Sequence, residues 1–246
     1  MSMKDLDAAT QLVHAGRDWD PEWGCVNPPV VRASTVLHKS CEDMMDRVHD
    51  EMACRDGKPC YGSYGGPAHK AFYSAMKTLE GPNAAGAWAF STGLAATTTP
   101  LFAFVRAGCH ALFSDSIYGP TREFAEQILR TMGVDVEFFD PAASPEAIEA
   151  MMRPETTLLM MENPGSHSFE MSDVPGIAAA CRRHGVTSVI DNTWATPLYF
   201  KPLDHGVDMV VHAATKYIAG HSDLLMGVVI CNERVWPAVY RTAVRL

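Results

Sequence analysis

Met209-Val210-Val211-His212-Ala213-Ala214-Thr215-Lys216-Tyr217 decides how this chain is read. An apolar run of strand type feeds a segment that ends on a lysine, and an amine in apolar surroundings is costly unless it has chemistry to perform. The reading is a buried amine, a candidate covalent catalyst. Upstream, Val186-Thr187-Ser188-Val189-Ile190 is a second β-rich run, closed by Asp191-Asn192-Thr193-Trp194. As parallel strands the two would deliver the Asp191 carboxylate and the Lys216 amine to one rim of one sheet, where open α/β folds hold their ligands.

Outward from this pair, strand and helix patterns alternate. Helices are expected over 68–80 (stopped by Gly81-Pro82), 94–106, 121–132, 145–152, 174–184 and 234–246. Strands are expected around Trp88 and over 110–114, 136–139, 157–161, 187–190, 209–212 and 226–231. Such alternation predicts an α/β fold with a mostly parallel central sheet flanked by helices. Residues 1 to about 60 read as irregular, with Pro21, Pro28, Pro29 and Pro59 and a polar stretch from Asp46 to Lys58. That segment is expected to be an arm that touches a partner, and residues 61–246 a single large domain.

A lysine that forms a Schiff base, with an acid that keeps a pyridine nitrogen protonated, is the pair that pyridoxal phosphate (PLP) needs. A strand-end Asp and a nearby Lys also make ordinary ion pairs. A third element bears on the choice: Ala87-Trp88-Ala89-Phe90 reads as a buried strand running into Ser91-Thr92-Gly93-Leu94-Ala95-Ala96. Free amides and the positive dipole end at such a helix start attract phosphate, although Ser91 or Thr92 could equally be a plain cap.

These residues resemble the cystathionine β-lyase and γ-synthase family of fold-type-I PLP enzymes, which share the aspartate aminotransferase architecture. The carriers are Tyr61-Gly62, Phe90 to Ala95, Ser114-Asp115-Ser116-Ile117-Tyr118-Gly119-Pro120, Glu162-Asn163-Pro164-Gly165-Ser166, Asp191-Asn192-Thr193-Trp194-Ala195 and Ala213-Ala214-Thr215-Lys216-Tyr217. Within the family, Pro164-Gly165-Ser166 and the string from Asp191 to Ala195 look more like β-lyases. The resemblance implies cleavage of L-cystathionine to homocysteine, pyruvate and ammonia, as in methionine biosynthesis. It implies Lys216 as the covalent anchor and base, Asp191 at the pyridine nitrogen, and Tyr118 stacked on the ring. Either Lys216 or Tyr118 would protonate the leaving sulfur. The phosphate would meet Gly93, Leu94, Thr215 and the Ala213 and Ser63 positions, and Asn163 would meet the ring oxygen. Tyr61 would reach the phosphate of a neighbouring subunit, so a homodimer or homotetramer is expected.

Two departures stand out. Relatives place an arginine two residues after the tyrosine, where this chain has Ser63, and many carry a second serine where it has Ala213. Lys58 and Lys70 are nearby cations that could substitute. The chain is also expected to be a piece of a longer enzyme, because family chains continue into a smaller C-terminal domain bearing the arginine that grips the substrate carboxylate. Two rivals follow: a γ-synthase or γ-lyase, and an inactive PLP-binding or oligomer-forming module.

Composition narrows the rest. With 246 residues and 47% apolar content, the chain can bury about 70 to 75% of its unfolded surface. A net charge of −9 without a dense Lys/Arg run argues against a nucleic-acid surface. The start lacks a signal-peptide core and no stretch is apolar enough to span a bilayer, so a cytoplasmic protein is expected. Seven cysteines without a C-x-x-C read as reduced thiols. His49, Cys54 and Cys60 match no zinc-ligand spacing, so no metal is expected. Gly62, Gly65 and Gly66 make no dinucleotide fingerprint.

Overall fold

The computed structural model describes residues 6–17, 25–55 and 57–246. Seven strands among them form one sheet in the order β1-β7-β6-β5-β4-β2-β3. They are β1 Gly86–Phe90, β2 His110–Ser114, β3 Asp135–Phe139, β4 Thr156–Glu162, β5 Thr187–Asp191, β6 Met209–His212 and β7 Gly227–Cys231. Strands β2 to β6 pair in parallel, whereas β7 runs antiparallel to both β6 and β1. The C-terminal ends of β1, β2, β4, β5 and β6 therefore share one rim with the start of β7. The expected mostly parallel sheet is present, and its strands fall within one or two residues of the pattern.

The central strands read as continuous apolar runs because both faces are covered. Leu112, Phe113, Leu159, Val189, Ile190, Val210, Val211, Val229 and Ile230 are fully buried, each contributing about 1.5 to 3 kcal/mol against exposure.

The helices follow their caps. In chain order they are α1 Ala8–His14, α2 Cys41–Met52, α3 Pro67–Glu80, α4 Gly93–Leu101, α5 Gly119–Glu123, α6 Pro145–Glu149, α7 Val174–His184, α8 Thr196–Tyr199 and α9 Trp236–Ala243. Helix α7 matches its expected bounds, with Asp173 accepting from Gly176 N–H at 3.0 Å and Gly185 left-handed at its end. Helix α4 stops short of residue 106 because Pro100 lacks an N–H, and the chain tightens into three-residue turns from Pro100 and Leu101 carbonyls. The helix expected over 121–132 starts earlier, as α5, and widens into a π-helical segment over Phe124–Leu129. Helix α6 ends before 152. Helix α9 is shorter than 234–246, starting at Trp236 with Pro237 in its first turn and ending at Ala243.

The first 60 residues are not irregular throughout. Residues 1–5, 18–24 (with Pro21) and 56 lie outside the description, but α1 and α2 are regular, capped by Asp7 and Ser40. Helix α2 is anchored on the domain. Buried Glu51 accepts from the Tyr240 hydroxyl of α9, and the Trp236 indole donates to Cys54 O at 3.1 Å.

Asp208 ties the far ends of β5, β6 and β7. It accepts from Ser188 N–H and Oγ at 3.0 Å each, from Asn232 Nδ2 at 2.9 Å and from Arg234 Nε at 2.9 Å. Burial works against its anion, and the hydrogen bonds from Arg234, Ser188 and Asn232 outweigh that, holding the carboxyl below the usual range. A carboxyl depressed on folding stabilises above its unfolded pKa, and the contribution disappears as pH falls through the folded value. Asp208→Asn is expected to cost about 2 to 3 kcal/mol at neutral pH and to flatten the acid limb of the stability curve. Urea melts across pH 2 to 7 check this, and an unaltered acid limb would contradict it.

Candidate active site

The rim gathers most of the residues singled out from sequence. Asp191 ends β5, in register with Glu162 on β4 and Val211 on β6. One residue past Val211, His212 closes β6, and the chain turns through Ala213 to Ala219 with Lys216 N–H donating to Ala213 O at 2.9 Å. Tyr118 caps α5 just beyond β2, and Thr92 caps α4 just beyond β1.

Close packing joins the phosphate cradle to the lysine turn. A Cβ on Gly93 would lie 2.7 Å from Ala213 Cβ, and one on Gly227 would lie 2.8 Å from Gly93 Cα and 2.6 Å from Ala96 Cβ. Glycine at 93 thus serves contact between the start of α4, the turn after β6 and the start of β7. Thr92 Oγ1 accepts from Ala95 N–H at 3.0 Å, which leaves the Gly93 and Leu94 amides as the donors directed out of the helix start. Both readings of that segment hold together: Thr92 is the cap, and the first two amides stay available to an anion.

Three expectations change. Lys216 is exposed, not buried, since the apolar run ends at Val211 and the lysine stands on the outer side of the turn. The Thr215 hydroxyl is committed locally, donating to Met226 O at 3.1 Å and accepting from Met226 N–H at 3.0 Å, so it would reach a phosphate only by exchanging those bonds. Asn163 is 5% exposed with its carboxamide oxygen taken by Ser172 N–H at 2.8 Å, so only its Nδ2 end can meet a ring oxygen. Tyr118 is 46% exposed, so its ring is open to a ligand. Tyr61 is exposed beside a turn whose Gly62 and Ser63 line a cavity of about 360 Å³ together with Phe90 and Ser91. That turn therefore lies against the cradle side of β1. Around the rim Phe169, Trp194 and Tyr217 are exposed and in ring contact, at 5.3 and 5.8 Å between centroids.

Asp191 accepts from Thr193 N–H at 2.9 Å, and Thr193 Oγ1 accepts from Ala213 N–H at 2.8 Å, so one short chain of bonds links the acid to the lysine turn. Burial pushes the Asp191 carboxyl up, against the hydrogen bonds of Thr193 and the favourable field of His212. Glu162 is the rim residue that sequence reading passed over. Its carboxyl is pushed up to about 8 by burial and by the neighbouring Asp191, and its Oε2 accepts from Tyr118 N–H at 2.7 Å. The signal lay in the strand register, which places Glu162 beside Asp191.

This donor set fits PLP. The α4 amides suit a dianionic phosphate. A carboxyl that burial alone would neutralise gains a partner in a pyridinium N–H. An accessible amine and an open aromatic face complete the set. Among the described residues no three His, Cys, Asp or Glu side chains are grouped as metal ligands would be. None of their helices is long and apolar enough to cross a membrane.

Comparison with known proteins agrees with the geometry. A Rhizobium johnstonii protein named "Putative cystathionine beta-lyase" is 46% identical over 95% of this chain and 58% of its own length. An L-alanine/L-glutamate racemase of Wolbachia pipientis wMel is 37% identical over 94% of this chain and 58% of its own. The crystal structure of a cystathionine γ-lyase from Lactobacillus plantarum, complexed with L-serine, superposes with a TM-score of 0.86 at 29% identity, over 98% of this chain and 59% of that one. The chain spans under two thirds of each of these proteins. Residues 9–244 match the Cys/Met metabolism PLP-dependent enzymes, and with its PLP fold-type-I sheet the chain belongs to that family.

Proposed function

We propose that the protein of which this chain forms the PLP-binding part is a carbon–sulfur β-lyase that converts L-cystathionine to homocysteine, pyruvate and ammonia. The observation that carries the enzymatic reading is the meeting of Lys216, Asp191, Tyr118 and the α4 amides at one rim. Its narrowing to β-lyase rests on the 46% identity to the Rhizobium protein of that name and on Pro164-Gly165-Ser166.

Bound PLP supplies an electron sink for a carbanion. The chain's own residues do the rest. The Gly93 and Leu94 amides would hold the phosphate, and the Tyr118 ring would cover the pyridine. Asp191 would keep the proton on the ring nitrogen, and the Asn163 Nδ2 end would meet the ring oxygen. The Lys216 amine would hold the cofactor covalently and serve as the base for the α-proton, and Lys216 or the Tyr118 hydroxyl would give a proton to the departing sulfur. Tyr61 serves the phosphate of a neighbouring copy, so the site is completed in a homodimer or homotetramer.

Incubation of the full-length protein with L-cystathionine tests the reading. Pyruvate supports it, and 2-oxobutyrate would make the enzyme a γ-lyase. Interconversion of L- and D-alanine without pyruvate would make it a racemase. Ser63 gives a further expectation, since it supplies no charge where relatives carry arginine. Ser63→Arg should lower the PLP dissociation constant about tenfold or more, the range of a charge-assisted hydrogen bond. Equilibrium titration with PLP measures this, and an unchanged constant would mean that another cation already fills the role.

A further inference from the structure

Glu162 has no assigned part in this chemistry, yet it bonds one residue that does and lies beside another on the adjacent strand. Its Oε2 accepts the Tyr118 N–H at 2.7 Å, and Ser166 on the loop after β4 favours the anion of the same carboxyl. The strand register sets it beside Asp191 on the adjacent parallel strand. The loop carrying Ser166 is locked to the loop before Tyr118, with Ser166 N–H donating to Ser116 O at 2.7 Å and Gly165 lying where a Cβ would meet Ser116 Oγ at 2.6 Å. Ser116 in turn shares a 3.0 Å hydroxyl contact with Ser114 at the end of β2.

We propose that Glu162 is a positioning residue that sets the Tyr118 ring and the Asp191 carboxyl relative to each other, so that both faces of PLP recognition depend on one side chain of β4. The inference rests on the PLP reading given above. Two carboxyls side by side cannot both ionise cheaply. The groups facing Glu162 decide which one keeps the proton. Around Glu162 are the Tyr118 amide from the β2 side, Ser166 from its own loop, and the Asp191 carboxyl from β5. Asp191 has the Thr193 bonds and the His212 imidazole on its far side. Burial and the neighbouring Asp191 push the Glu162 carboxyl up to about 8, so Glu162 holds its proton near neutral pH. A neutral Glu162 still accepts from Tyr118 through its carbonyl oxygen, and it adds no charge that would compete with Asp191 for the ring nitrogen.

The substitution set separates this from simple packing. Glu162→Gln keeps an uncharged acceptor of the same length, Glu162→Asp keeps the carboxyl but draws it back from Tyr118, and Glu162→Ala removes both. In the PLP-free chain, hydrogen exchange at the Tyr118 amide should rise about tenfold or more in Glu162→Ala and Glu162→Asp, as expected for loss of one hydrogen bond, and stay within about twofold in Glu162→Gln. PLP affinity should follow the same order at neutral pH. Unchanged Tyr118 exchange in Glu162→Ala, or in Glu162→Asp if the alanine variant does not fold, would overturn the proposal. So would a Glu162→Gln chain as impaired as Glu162→Ala. A wild-type chain that takes up no PLP defeats the cofactor reading instead, and the Tyr118 exchange pattern still decides the role of Glu162.

Discussion

Lys216→Arg yields a folded chain that no longer takes up PLP covalently. After incubation with PLP and reduction with borohydride, the wild-type peptide containing Lys216 gains the mass of the reduced cofactor, and the corresponding peptide of the variant gains none. The fold should survive because the side chain is exposed on a turn, where substitutions usually shift stability by no more than about 0.5 kcal/mol. Arginine keeps the charge but is neither a nucleophile nor a base at working pH. In the full-length protein, pyruvate release should fall by a factor on the order of 10² to 10⁴, the usual contribution of a positioned base. An adduct that appears elsewhere in the wild-type chain, or a variant that retains turnover, would remove Lys216 from the centre of the mechanism. Exposure sharpens this test, since loss of the adduct cannot be attributed to a disturbed core.

The second large effect lies beneath the rim, at Glu80 and His212. Glu80 ends α3 and His212 ends β6; they are 0% and 1% exposed, with His212 Nε2 3.8 Å from Glu80 Oε2. None of their four side-chain polar atoms has a hydrogen-bond partner in the described structure. Each is the other's electrostatic complement, so removing one should cost about 3 to 5 kcal/mol by leaving the other buried alone. Glu80→Met or His212→Leu singly should show that loss in urea melts. The double variant should recover most of it, because apolar replacement of a buried pair is often neutral or stabilising. A double-mutant cycle reads the coupling directly. Additive losses below about 1 kcal/mol would mean that the two groups do not depend on each other. Function should not recover with stability. The His212 field favours the Asp191 carboxylate, so the double variant should fold well and hold PLP less tightly.

The buried strands were legible because β5, β6 and β7 are covered on both faces and need unbroken apolar runs. The helices α1 and α2 were not, since α2 is polar along much of its length. Its cap was nonetheless readable in Ser40 and Asp43, joined at 3.1 Å. Asp191, Gly93 and Tyr118 could be placed because each lies at the end of a strand or within four residues of it. Lys216 was placed on the right rim but given the wrong environment, since an apolar run says where a strand is and not where the following turn points. Glu162 stayed hidden for a different reason. Its partners Asp191 and Tyr118 are distant in sequence and become neighbours only through strand register and loop contact.

The contact among Gly93, Ala213 and Gly227 acts as a gauge block. It fixes the span between the start of α4 and the lysine turn by backbone and alanine methyl groups, with no flexible side chain to adjust it. The edges of the opening, where Phe169, Trp194 and Tyr217 stand exposed, can change without altering that span. New substrates can be accommodated there without recalibrating the distance on which the shared chemistry depends.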